Sequence, residues 1–117
     1  MGMARMPDAE NAQVPIEKIV DYLLSRTHPV GSRKAVFFRL FGFDDSAPNI
    51  LVAALLAHCA KNEVFKVLVV PHGTKYEITG PLATPSGRTP WIKSVWIVIG
   101  NAAPRFVTAV PEKAKKP

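Results

Sequence analysis

A single cysteine, Cys59, occurs in the 117 residues. No disulfide can therefore close within the chain, which fits a reducing compartment and makes a cytoplasmic location the expectation. Long apolar runs are also missing. The longest, residues 50–57, falls well short of the roughly 18–20 residues of a membrane-spanning helix. Residues 1–12 carry Arg5, Asp8 and Glu10 but no apolar block, so they do not read as a secretory signal. No Gly-rich phosphate loop, no Cys/His cluster and no carboxylate pair at metal-ligand spacing is present, so neither a cofactor nor a metal is expected. Acids are scarce too. Nine Asp and Glu stand against fifteen Lys and Arg, a net charge of +6.

Part of that charge sits in the tails, but residues 11–110 keep five of the six net positive charges. A basic body suits a phosphate-rich partner such as RNA, or an acidic protein; it also describes an ordinary Lys- and Arg-rich surface. The hydrophobic fraction of 48% and the length support one domain with a real core. That domain is expected over residues 14–111, between a flexible tail at 1–13 and a basic tail at 112–117.

Apolar periodicity sets the elements. Pro15 opens an amphipathic helix with Ile16, Ile19, Val20, Leu23 and Leu24 on one face and Glu17, Lys18 and Asp21 on the other. It should end near Ser25 and Arg26. Pro29 and Gly31 shape the following loop, and Ser32 is a natural cap for a helix over residues 33–41. Val36, Phe37, Leu40 and Phe41 are expected to pack inward there. A third helix over residues 48–61 presents Leu51, Val52, Leu55, Leu56 and Cys59, with His58 expected at its rim. The period then changes to two. Residues 64–70 and 75–79 read as strands around Pro71-His72-Gly73, with a bend at Gly80-Pro81. After the turn at Pro85-Ser86-Gly87-Arg88 comes the hairpin of residues 90–99 and 105–110. Its first strand is apolar on both faces: Trp91, Val95, Ile97 and Ile99 on one, Ile92, Trp96 and Val98 on the other. The expected fold is α+β, three N-terminal helices followed by a four-stranded, mainly antiparallel sheet.

Further motifs carry a resemblance. His28-Pro29-Val30-Gly31, then Lys34 and Phe37-Phe38, precede Pro85-Ser86-Gly87-Arg88, Val95-Trp96 and Pro104-Arg105-Phe106-Val107-Thr108-Ala109-Val110-Pro111. Together they resemble a family of small uncharacterised bacterial domains, some of them within toxin-like or phage-associated proteins. The helices-then-sheet order is similar to the barnase/EndoU/colicin/RelE-like group of toxin nucleases. By fold analogy the resemblance implies a small metal-independent ribonuclease, a toxin of a toxin–antitoxin or polymorphic-toxin-like system, held by an acidic antitoxin-like protein.

Cleaving RNA without a metal needs a group to take the 2′-OH proton, one to protonate the leaving 5′-oxygen, and cations for the phosphorane. His28, Lys34 and Arg105 are the candidate catalytic residues. Ser32, Arg33, Arg88, Ser94 and Thr108 are candidate substrate contacts, with the helix start at Ser32 offering free N–H groups to an anion. His28 serves equally well as a loop-locking residue, and Arg33 and Lys34 as solvated bases. Strand alternation places Arg105 and Thr108 on opposite faces unless a bulge intervenes. The alternative function is a non-catalytic basic module that binds RNA or an acidic partner protein. Oligomeric state is left open.

Overall fold

The computed structural model describes residues 4–25, 27 and 31–112, the side chains of 31–33 excepted. A short 3₁₀ turn, Ala9–Asn11, leads to helix α1 (Ile16–Lys18), which runs straight into a π-helical turn, Ile19–Leu23. Helices α2 (Gly31–Leu40) and α3 (Pro48–Lys61) follow. Strands β1 (Val64–Val70), β2 (Gly73–Pro81), β3 (Trp91–Val98) and β4 (Arg105–Pro111) form one sheet in sequence order, every pair antiparallel. The class is α+β, but the expected trio of regular N-terminal helices is corrected. The first is one α-helical turn widened into a π turn, with the Leu24 N–H reaching back to the Ile19 carbonyl. Leu23 and Leu24 are both buried with Ile19 around this wider turn.

Residues 4–13 pack against the rest of the chain. Met6 is buried in the core. The Val64 N–H donates to the Ala4 carbonyl, and Gln13 bonds on both sides of Arg105: its N–H to Pro104 O and its carbonyl to the Phe106 N–H. The lead-in thus caps the start of β4's outer edge.

Helix α2 is rotated from its expected phase. Ala35 and Phe38 are buried, whereas Val36 and Leu40 are 58% and 75% exposed. Apolar residues surround this short helix, so periodicity alone cannot orient it. Polar anchors do: Arg39 donates to the Leu24 carbonyl at 2.9 Å, and Lys34 bonds across to Tyr22 and Thr108.

Trp96 lies at the centre, fully buried, with its ring edge-on to Phe106 at 5.3 Å. Its indole N–H donates to Ser94 Oγ at 2.8 Å, and Ser94 in turn meets His58 Nδ1 at 2.9 Å. His58 Nε2 lies 3.1 Å from the Gly80 carbonyl. A carbonyl only accepts, so Nε2 carries the proton and Nδ1 accepts from the serine hydroxyl. Neutral His58 therefore satisfies every partner. Its expected place at the rim is corrected, since the side chain is only 2% exposed. The helix end approaches β2 closely here, and a Cβ at Gly80 would overlap the Asn62 amide.

This network makes a pH prediction. Burial, the largest influence, lowers the His58 pKa from 6.5, outweighing the carbonyls of Gly80 and Ile92, which raise it. The unfolded chain takes up a proton near the ordinary value and the folded chain resists it. Stability is therefore whole above about pH 6.5 and falls below it until the depressed pKa is reached. Between pH 7 and pH 5, the melting temperature of wild type is expected to drop more than that of His58→Gln. Equal slopes would mean that His58 is not held neutral.

Candidate functional site

Three side chains from distant segments meet at the edge of β4. Lys34, in the first turns of α2, donates from Nζ to Tyr22 Oη at 2.6 Å and to Thr108 Oγ1 at 2.7 Å. The two hydroxyl oxygens are 3.3 Å apart. The ammonium also sits 4.8 Å from the Tyr22 ring centroid. The π turn carries Tyr22 to this position while Leu23 stays in the core.

Beside the cluster runs an open groove of about 740 Å³, lined among others by Lys18, Tyr22, Arg105, Val107 and Thr108. Alternation would put Arg105 and Thr108 on opposite faces, but β4 contains a bulge. Val95 pairs with Thr108 and the next residue, Trp96, with Phe106, leaving Val107 as the extra residue. That step cancels one alternation and brings Arg105 and Thr108 to the same groove. It also frees the Val107 carbonyl, which accepts from Lys18 Nζ at 3.3 Å. Glu17 and Asp21 line the same groove, so its charge is mixed, with cations nearest the β4 edge.

The electrostatics follow from this packing. Burial, the largest single influence, would raise the Tyr22 phenol. Hydrogen bonds from Lys34 and Thr108 and the charges of Lys34 and Lys18 together outweigh it, so the pKa lies below the ordinary 10.0. A tyrosine so placed can hold or pass a proton, and the adjacent ammonium can neutralise an anion.

Of the candidates drawn from the sequence, Lys34, Thr108 and Arg105 gather at this edge. His28 lies outside the described residues, as do the side chains of Ser32 and Arg33. Arg88 is exposed in the turn before β3, where its carbonyl accepts from Thr84 Oγ1. It does not line the groove. Ser94 is buried between His58 and Trp96, away from it. Tyr22 and Lys18 were not singled out by sequence reasoning. The available signal was their i, i+4 spacing on the polar shoulder of the first amphipathic stretch, with Tyr22 one of only two tyrosines.

Residues 5–113 match the family model described as a domain of unknown function, DUF6883, and the chain belongs to that family. In fold it is similar to a chain of the contact-dependent growth inhibition toxin–immunity protein complex from Klebsiella pneumoniae 342. The TM-score is 0.67 at 18% identity, over 85% of this chain and 98% of that one. No curated protein matches the sequence. Among the described residues no helix is long and apolar enough to cross a membrane.

Proposed function

We propose that the groove at the β4 edge binds the phosphate backbone of single-stranded RNA and that the domain is a small toxin-type ribonuclease. The observation that carries this reading is the Lys34 ammonium held against two hydroxyls at 2.6 and 2.7 Å, with Arg105 and Lys18 along the same groove. An ammonium has three N–H groups, and Tyr22 and Thr108 fix the direction of two. The third has no partner among the described residues and is assigned to a phosphate oxygen, with Arg105 supplying a second, forked contact.

In the proposed reaction the 2′-oxygen attacks phosphorus, forming the 2′-O–P bond as the P–O5′ bond breaks. The products are a 2′,3′-cyclic phosphate and a free 5′-hydroxyl. Tyr22, as the phenolate that its lowered pKa brings closer, takes the 2′-OH proton and becomes the phenol; Lys34 and Arg105 stabilise the charge on the phosphorane. His28, six positions before Lys34 in the chain, is the proposed donor to the leaving oxygen. Ser32 and Arg33 are the further proposed phosphate contacts. Likeness of fold to a chain from a toxin–immunity complex supports a protein partner too, and an acidic one would fit the basic body.

The test is to incubate purified protein with RNA in the presence of a chelator and map the ends. Cyclic phosphates and 5′-hydroxyls are expected, with cleavage lost in His28→Ala while RNA affinity is nearly kept. Arg105→Ala, at an exposed position, is expected to weaken binding on every sequence and to lower the salt slope by about one counterion. RNA bound but left intact by wild type would favour the non-catalytic module. RNA neither bound nor cut would leave an acidic protein as the partner of the basic surface.

A further inference from the structure

We propose that the open edge of β1 pairs with the same edge of a second copy of this chain, joining two four-stranded sheets into one. The two edges of the sheet are treated very differently. The β4 edge is capped at its start by the backbone bonds to Gln13, bent by the bulge at Val107, held by Lys18, and bounded by Pro104 and Pro111. These are the usual devices that keep an edge from recruiting another strand. Among the described residues the β1 edge has fewer of them, with Pro71 bounding one end. Ala4 meets Val64, and a bulge falls at Phe65, but residues 66–70 bond along their backbone only to β2 among the described residues. There the sequence is Lys-Val-Leu-Val-Val, with one charge and no proline. Val67 is 50% exposed and Val69 85% exposed, two β-branched side chains on one face of an edge strand.

Self-pairing is favoured by the register. A twofold axis normal to the joined sheet keeps both helical layers on one side, and facing residues must then share a face. The axis must therefore pass through a residue. Through Lys66 it would set two ammonium groups opposite each other, which is unfavourable. Through Val67 it would run the regular end of one strand into the bulge of the other. Through Leu68 the regular stretch of residues 66–70 meets itself reversed. Val67 then faces the second copy's Val69, Lys66 faces its Val70, and the two Leu68 side chains meet on the axis. Five residue pairs make an interface below the size of permanent ones, so the dimer should depend on concentration. This inference does not rest on the proposed ribonuclease activity.

Light scattering across a concentration series is expected to show mass rising from 12.8 kDa toward twice that value. Val69→Lys should abolish the rise with an unchanged melting temperature, because its position is already open to solvent. Leu68→Cys should oxidise to a linked dimer faster than Val69→Cys, whose partner position is Val67; Cys59 is buried and does not compete. A monomer at every concentration, a dimer that survives Val69→Lys, or equal crosslinking of the two cysteine variants would each overturn the proposal.

Discussion

Trp96→Ala is expected to lower the melting temperature by on the order of 10–20 °C, the signature of losing about 3–5 kcal/mol from a domain of this size. The indole is wholly buried at the centre of the core, where Phe106 packs edge-on against it and nothing can collapse into the space without moving β3. The loss is more than volume. Trp96 Nε1 is a donor to Ser94 Oγ, so its removal also takes a hydrogen bond from the pair that keeps His58 neutral. Trp96→Phe separates the two contributions, since it keeps most of the apolar bulk and removes only the N–H. That variant should lose about 1 kcal/mol through the hydrogen bond, besides any repacking. Thermal unfolding of both variants is the measurement. A midpoint for Trp96→Ala equal to wild type would place the core elsewhere.

The centrality of Trp96 was legible because strand β3 is apolar at nearly every position. Only a strand in the middle of a sheet, shielded on both sides, uses such a sequence. The limits of β1 were equally plain, since Val64 to Val70 is an uninterrupted β-rich run that ends in Pro71. The rest of the architecture depended on contacts that a local reading does not contain. His58 finds its partners 36 and 22 residues away, at Ser94 and Gly80. On its own helix it offers no sign of them. The phase of α2 was misread because Phe37, Phe38, Leu40 and Phe41 supply apolar groups in every direction, and the choice fell to Lys34 and Arg39. The π turn has no periodic signature of its own in eight residues.

The site shows the same division. Residue chemistry pointed to Lys34, Arg105 and Thr108, but their meeting needs the extra residue at Val107, and nothing in Arg105-Phe106-Val107-Thr108 announces a bulge. The bulge becomes sensible once Lys18 is seen holding the released carbonyl and Gln13 capping the start of the strand. An edge strand has room for such an insertion because only one of its sides is tied to a neighbour. Tyr22 went unread for a related reason: in an ordinary α-helix it would follow the polar stripe of Lys18, and only the widened turn brings it over Thr108. The residues that define the groove's chemistry thus come from three segments separated by most of the chain.

Lys34→Met is expected to reduce RNA cleavage by about 10²–10³-fold, the typical cost of removing one preorganised donor from a site that stabilises developing charge. Methionine keeps an unbranched apolar stem, so α2 should hold its place. What disappears is the ammonium that touches both Tyr22 and Thr108. A second consequence can be read without any substrate. Lys34 is the source of one of the two hydrogen bonds and one of the two charges that lower the Tyr22 phenol against its burial. Without them less opposes burial, and the phenol should titrate at higher pH than in wild type. Ultraviolet titration, with Tyr22→Phe to assign the Tyr22 signal against Tyr76, measures that shift directly. If Tyr22 acts as the base, the acidic limb of the cleavage rate must move the same way, toward higher pH, because the phenolate is reached later. An upward shift of the phenol with cleavage unchanged would establish the cluster and remove its catalytic role. Cleavage lost with the phenol unmoved would keep Lys34 in the reaction and deny that it acts beside Tyr22.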